Sequence, residues 1–221
     1  GPDQTLLLVN GKRYHQSSLV NLFGTRGRGN TGSDLNTIPV AAIKRIEVLR
    51  DGASAQYGSD AIAGVINVVL NDRNKGTEVN AFYGLNVFKS PGNHDVVSDR
   101  KLDGNTLDVS LNTGTSIGKK GGFINLTFDF INKDYAIRNA NPDKYSASRQ
   151  RYGDAAAKNM YAFLNTEIPL TEKVKFYNTS GFSYRNTKSY AWTRSADADG
   201  NILEVYPNGF NPIEDTKITD F

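Results

Sequence analysis

A few stretches of the chain carry residue types associated with chemistry. Gly27-Arg28-Gly29-Asn30-Thr31-Gly32 has the letters of a dinucleotide-binding loop. Such a loop needs a strand before it and a helix after it, so that the helix N-terminus meets the pyrophosphate. Pro39 follows too soon for a long helix to start there, which leaves a flexible glycine-rich loop. Asp197-Ala198-Asp199-Gly200-Asn201 resembles a calcium loop, but an EF-hand wants Gly at its sixth place and Glu at its twelfth. Here Gly200 stands fourth and Asn208 twelfth, so a hairpin tip fits better. His15 and His94 are far apart in polar stretches and suggest neither a metal site nor an acid/base pair. No serine stands in a Gly-x-Ser-x-Gly elbow. The sequence contains no cysteine, which removes disulfides, thiolate zinc sites and thiol nucleophiles together. No catalytic residue, metal ligand or cofactor is expected.

The 221 residues allow one or two domains, and the formal charge of +3 is spread among interspersed acids and bases, without a nucleic-acid footprint. The longest nearly apolar run, Ala61 to Leu70, is too short for a transmembrane helix. The chain opens on Gly1-Pro2-Asp3 with no signal-peptide pattern, so either the protein is cytosolic or its beginning is missing.

The elements that position these residues fall into two halves. Residues 1–72 read as mixed α and β. Thr5 to Val9 is a buried strand stopped by Asn10-Gly11, a two-residue hairpin signal. Ser17 to Asn36 is a long, mostly irregular loop. Pro39 opens a short helix through Ile43; Ile43 to Leu49 and Val65 to Leu70 are strands, with a helical turn at Ala53 to Tyr57.

From Gly76 the period becomes two. Ile124, Leu126, Phe128 and Phe130 alternate with Asn125, Thr127 and Asp129. Thr77 to Phe88 alternates similarly, although Phe82 and Phe88 break the rule, and Leu107, Val109 and Leu111 oppose Asp108, Ser110 and Asn112. Met160 to Leu170 and Val174 to Asn186 complete five candidate strands; Pro207 to Phe221 shows no strand pattern. The connections alternate: long at Lys89 to Asn105, short at Gly118 to Gly122, long at Lys133 to Lys158, short at Thr171 to Lys173. Long outer loops and short inner turns between strands of about ten residues are the pattern of outer-membrane barrels, whereas a soluble sheet has no reason to segregate them. Five strands cannot close such a barrel, so the chain reads as incomplete.

Leu6-Leu7-Leu8-Val9-Asn10-Gly11-Lys12-Arg13, Ile38-Pro39, Ile43-Lys44-Arg45-Ile46-Glu47-Val48-Leu49-Arg50-Asp51-Gly52 and Ala53 through Val68 closely resemble, in order and spacing, the plug domain of TonB-dependent outer-membrane receptors. Asp51 departs from the family, which usually has Gly directly after the Arg. The resemblance implies an α+β plug fragment, the C-terminal part of a plug over residues 1–72, followed at 77–221 by about the first five antiparallel transmembrane strands of an incomplete barrel. The family's barrel has about 22 strands and a plugged lumen.

The implied function is TonB-dependent active transport of a scarce ligand, such as a siderophore, cobalamin or a glycan, across the outer membrane of a Gram-negative bacterium. The implied partners are that ligand, outer-membrane lipid, and TonB through a segment outside this chain. A passive porin or adhesin barrel and a soluble α+β binding domain are the alternatives. Within the glycine-rich loop, Arg26 and Arg28 could meet an anionic ligand and Phe23 could stack on it, or all three could line the plug surface. Arg45, Glu47 and Arg50 are expected to pair with one another or with charges on the barrel wall, as buried charges must.

Overall fold

The computed structural model describes residues 4–16, 20, 28–50, 53–89, 96–97, 101–140, 151–190 and 213–221. The first sheet contains β1 (Thr5–Val9), β2 (Lys12–Arg13), β3 (Ile43–Leu49) and β4 (Gly64–Leu70), in the order β2-β1-β4-β3. Asn10 and Gly11 take positive φ, 49° and 76°, which a two-residue turn of the primed type requires between β1 and β2. β1 runs parallel to β4, with Thr5 opposite Gly64 and Val9 opposite Val68. A parallel pair is covered on both faces, and this explains the unbroken Leu6-Leu7-Leu8-Val9 run. Leu7 and Val9 join Ile38, Ala42, Val68 and Leu70 on one face; Leu6 and Leu8 join Ala61 and Val65 on the other. Each large apolar side chain so buried contributes about 1.5–3 kcal/mol. Helix α1 (Ala53–Tyr57) covers the second face through Tyr57. The helix expected after Pro39 is a single 3-10 turn, Val40–Ala42.

The rest of the chain forms β5 (Lys75–Val87), β6 (Val96–Val97), β7 (Leu102–Ile117), β8 (Gly122–Lys133), β9 (Ala136–Ala140), β10 (Arg151–Asp154), β11 (Ala156–Pro169), β12 (Lys175–Tyr190) and β13 (Ile213–Asp220). Six of these make one antiparallel sheet, ordered β13-β12-β11-β8-β7-β5. The sequence pattern misses β13. Its residues, Ile-Glu-Asp-Thr-Lys-Ile-Thr-Asp, present no apolar face, and the strand forms by pairing along β12 from Ser183 to Tyr190. The two long connections also differ from plain loops: β6, β9 and β10 build a separate small sheet in the order β10-β9-β6. Such short strands leave no period to read.

The polarity of the long sheet is the reverse of a soluble one. Ser110, Asn112, Asn125, Thr127, Asp129 and Ser183 are buried, whereas Val79, Tyr83, Leu107, Leu126, Met160 and Phe182 are exposed. On β8 alone, Asn125 is 2% exposed and its neighbour but two, Phe128, is 47% exposed. Register carries the rule across the sheet: Phe128 stands opposite Leu111 and Ala162, and Thr127 opposite Asn112 and Phe163. The polar face packs on the first sheet, and the apolar face is turned outward. An outward apolar band on long antiparallel strands suits hydrocarbon rather than water. Phe82, which breaks the alternation, lies on the inner face opposite Asp108.

Candidate functional site

The interface between the two sheets concentrates the polar side chains. Its first part is the linking segment, residues 71–74. Asn165 Nδ2 donates to the Asn71 carbonyl at 2.9 Å, Asn125 Nδ2 to the Arg73 carbonyl at 3.3 Å, and Ser116 Oγ to the Asn74 carbonyl at 3.0 Å. The segment lies so close to β7 that a Cβ at Gly114 would stand 1.9 Å from the Arg73 carbonyl oxygen, and only glycine admits it. Behind it, Asn112 Nδ2 donates to Asn125 Oδ1 at 2.7 Å and Thr127 Oγ1 at 2.8 Å. The amides of Asn112, Asn125 and Asn165 and the hydroxyl of Thr127 are thus satisfied by one another and by the linking backbone.

The second part is Asn10. Its Oδ1 accepts from the Leu70 N–H at 2.9 Å and its Nδ2 donates to Asn165 Oδ1 at 3.1 Å, tying the hairpin turn to β4 and to the long sheet. Next to it, Asn67 Oδ1 accepts from the Gly11 N–H at 2.9 Å while Asn67 Nδ2 donates to Glu47 Oε2 at 2.8 Å. Arg45 Nε donates to the other Glu47 oxygen at 2.8 Å. The Asn67 hydrogen bond, then Arg45, holds the Glu47 carboxyl below its ordinary value.

The third part is an ion pair. Arg185 on β12 reaches Asp34 at 2.5 Å, with side chains only 12% and 14% exposed. Asp34 Oδ1 also accepts from the Asn36 N–H at 2.9 Å, capping the 3-10 turn Leu35–Thr37. Thr37 Oγ1 donates to the Asp34 carbonyl at 2.7 Å and shares a 2.8 Å hydrogen bond with the Tyr14 hydroxyl. Burial pushes the Tyr14 phenol up from its usual value. Phe163 of β11 enters the apolar cluster of the first sheet and lies over Gly181, where a Cβ would come within 2.5 Å of its ring.

Of the residues singled out from the sequence, Phe23 and Arg26 lie outside the described residues. Arg28 is exposed in a turn before Gly29. Arg45 and Glu47 pair with each other, but their side chains are half exposed, so they are not buried charges; β3 is the edge strand, covered by β4 alone. Arg50 is exposed after β3 and makes no ion pair among the described residues. Asn10, Asp34, Gly114, Asn125, Phe163, Asn165 and Arg185 were not singled out. For Asn125, Asn165 and Arg185 the one signal was the polar side of the period-two strands, which in a soluble sheet would face water. His15 lies 3.3 Å from Asp220. Among the described residues no three His, Cys, Asp or Glu side chains gather as a metal would need.

The interface is not filled. Two cavities of about 360 and 480 Å³ lie between the Leu35–Ile46 stretch and the long sheet, and share Val40, Ile43, Asp108 and Asp129.

Residues 1–65 match the family model of the TonB-dependent Receptor Plug Domain. The whole chain is similar in structure to the siderophore receptor PirA from Acinetobacter baumannii, at 22% identity and a TM-score of 0.61, covering 98% of this chain and 29% of PirA. It is also similar to a ferric enterobactin receptor mutant from Pseudomonas aeruginosa (PfeA) in complex with enterobactin, at 19% identity and a TM-score of 0.52, covering 98% of this chain and 30% of that one. The chain therefore spans less than a third of either receptor's length. Residues 1–65 are thus similar to the TonB-dependent receptor plug domain, and the chain, with its inside-out sheet, has the fold of the corresponding part of these two receptors.

Proposed function

We propose that the protein is an outer-membrane transporter of a Gram-negative bacterium, importing a scarce ligand against its gradient with energy delivered by TonB. The observation that carries this reading is the polarity of the long sheet: its buried polar face is hydrogen-bonded to a plug fold and its apolar face is turned outward. Residues 1–72 then act as the C-terminal part of the plug and 77–221 as the first strands of a barrel of about 22. Many moderate hydrogen bonds, each worth about 0.5–1.5 kcal/mol net, hold a plug that must part from the wall more readily than an apolar interface would. The ligand class this reading favours is an iron-siderophore complex, since the similar structures are of siderophore and ferric enterobactin receptors. The Leu22 to Ser33 loop, with Phe23, Arg26 and Arg28, offers cations and an aromatic ring to an anionic chelate.

The test is uptake of radiolabelled iron, presented as a panel of siderophore complexes, by cells lacking the gene and complemented with the full-length protein. Uptake restored for one complex and abolished on TonB deletion supports the proposal. Uptake of small solutes that ignores TonB would replace it with a passive pore.

A further inference from the structure

Two of the connections between long strands leave the same end of the wall, β5 to β7 and β8 to β11, and they are tied to each other. Val96 and Val97 of β6, in the first connection, stand opposite Ala140 and Asn139 of β9, in the second; β10 pairs along the other edge of β9. Nearer the wall, the Gly104 N–H donates to the Tyr135 carbonyl at 3.1 Å and the Asp134 N–H to the Asn105 carbonyl at 2.8 Å. A strand of two residues does not persist by its own ladder, so β6 needs a further hold. The side chain placed to supply it is Arg138 of β9. Both of its Nη atoms bind the Asp103 carboxylate on β7, Nη2 to Oδ1 at 3.1 Å and Nη1 to Oδ2, and its guanidinium carbon lies 4.7 Å from the centre of the Phe88 ring. The Asp103 side chain is 4% exposed and that of Arg138 22%, so the pair is largely shut off from water. Phe88 opens the first connection, with its N–H donating to the Lys101 carbonyl at 2.8 Å, and Asp103 stands where that connection returns. One guanidinium from the second connection therefore grips both ends of the first. The approach is close: at Gly104, with φ of 63°, a Cβ would stand 2.5 Å from Asn86 Nδ2 and 3.2 Å from the Ala136 Cβ.

We infer that Arg138 clasps the first two outer connections into one rigid body, a fixed sector of the rim rather than a lid that folds over a ligand. A planar, always charged fork that meets a carboxylate along one edge and an aromatic ring on its face is pre-organised for a single geometry. Its charge is committed to Asp103, which makes Arg138 a positioning residue and not a ligand contact. Parting the two connections would strand a buried carboxylate, and that is costly. Closure over a ligand then belongs to connections other than these two. The clasp stands on the contacts alone; that it borders a ligand entrance rests on the transporter reading above.

The test uses the full-length protein in bilayers, with nitroxides attached at Val97→Cys and Tyr152→Cys, which flank β9 about 10 Å apart, two strand spacings. Dipolar broadening of the paired labels should be present with Arg138 in place and lost in Arg138→Gln. Arg138→Lys, which keeps the charge without the fork, should restore it only in part. Absence of broadening with Arg138 in place, or unchanged broadening in Arg138→Gln, overturns the inference. A second measurement leaves Arg138 intact and decides the matter even if its variants do not fold. A disulfide between Val97→Cys and its register partner Asn139→Cys should form readily. Iron uptake from the siderophore panel should then be the same for the oxidised and the reduced protein. A pair that does not oxidise, or uptake lost on oxidation and regained on reduction, overturns the inference, because the two connections would then have to part. Wild type that takes up iron from no complex in the panel counts against the transporter reading alone, and the nitroxides still decide the clasp.

Discussion

The plug sheet and the wall sheet alternate side chains with the same period and turn that alternation in opposite directions. In the plug, Leu7, Val68 and Leu70 are buried and the charged Arg45–Glu47 pair is outside. In the wall, Asn125 and Thr127 are buried and Phe128 is outside. Burial in the first case removes apolar surface from water; in the second it removes hydrogen-bonding groups from the side that faces hydrocarbon. The same strand chemistry therefore yields a conventional core or an inside-out one according to the solvent on the far face. Where they meet, one aromatic ring, Phe163, crosses into the apolar cluster, Arg185 pairs with Asp34, and amides and hydroxyls supply the other hydrogen bonds described above.

Substitutions that behave differently in the two sheets sharpen the contrast. Leu7→Ala in the plug should cost about 2–5 kcal/mol, as in any apolar core, read by chemical denaturation of the full-length protein. Phe128→Arg on the wall should cost about 2–4 kcal/mol in bilayers; an equal stability of variant and wild type there would mean that this face meets water. Thr127→Val, nearly isosteric, would help a conventional core. Here it removes an acceptor of Asn112 and should cost about 1–3 kcal/mol. The smallest effect concerns pH. The Glu47 carboxyl is held below its ordinary value, so its contribution is complete above the unfolded value and is lost as pH falls through the lowered folded one. Glu47→Gln should slightly flatten the acid limb of the stability profile, measured by thermal melts from neutral to acidic pH.

Much of the architecture was legible because local and tertiary signals agree there. Leu6 to Val9 ends at Asn10-Gly11, and the turn needs the two positive φ values these residues supply. Ile124 to Phe130 alternates because each of its faces meets one environment. The direction of that alternation is not a property of the strand, since identical spacing serves a soluble sheet; within the strand region itself, the alternating loop lengths were the signal pointing to a membrane, beside the plug-like block of residues 6–68. β13 stayed hidden because Glu214, Asp215, Thr216 and Lys217 mix polarity on both faces and the strand depends on the β12 edge. Asn10 was read as a turn residue, which it is, but its side-chain bonds to Leu70 and Asn165 involve partners 60 and 155 residues away. Gly114 carries no pattern at all: its necessity comes from the Arg73 carbonyl pressed against it.

Which face of the wall meets lipid is directly measurable, because the sequence contains no cysteine. Single cysteines placed by Leu126→Cys, Phe128→Cys and Met160→Cys, and by Asn125→Cys and Thr127→Cys, are labelled with a nitroxide in the full-length protein in bilayers. The labels are then exposed to oxygen, which partitions into lipid, and to a water-soluble nickel chelate. Positions 126, 128 and 160 should respond to oxygen and not to nickel, and 125 and 127 should be shielded from both by the plug. Nickel access at 126, 128 and 160 would contradict this and return the sheet to water.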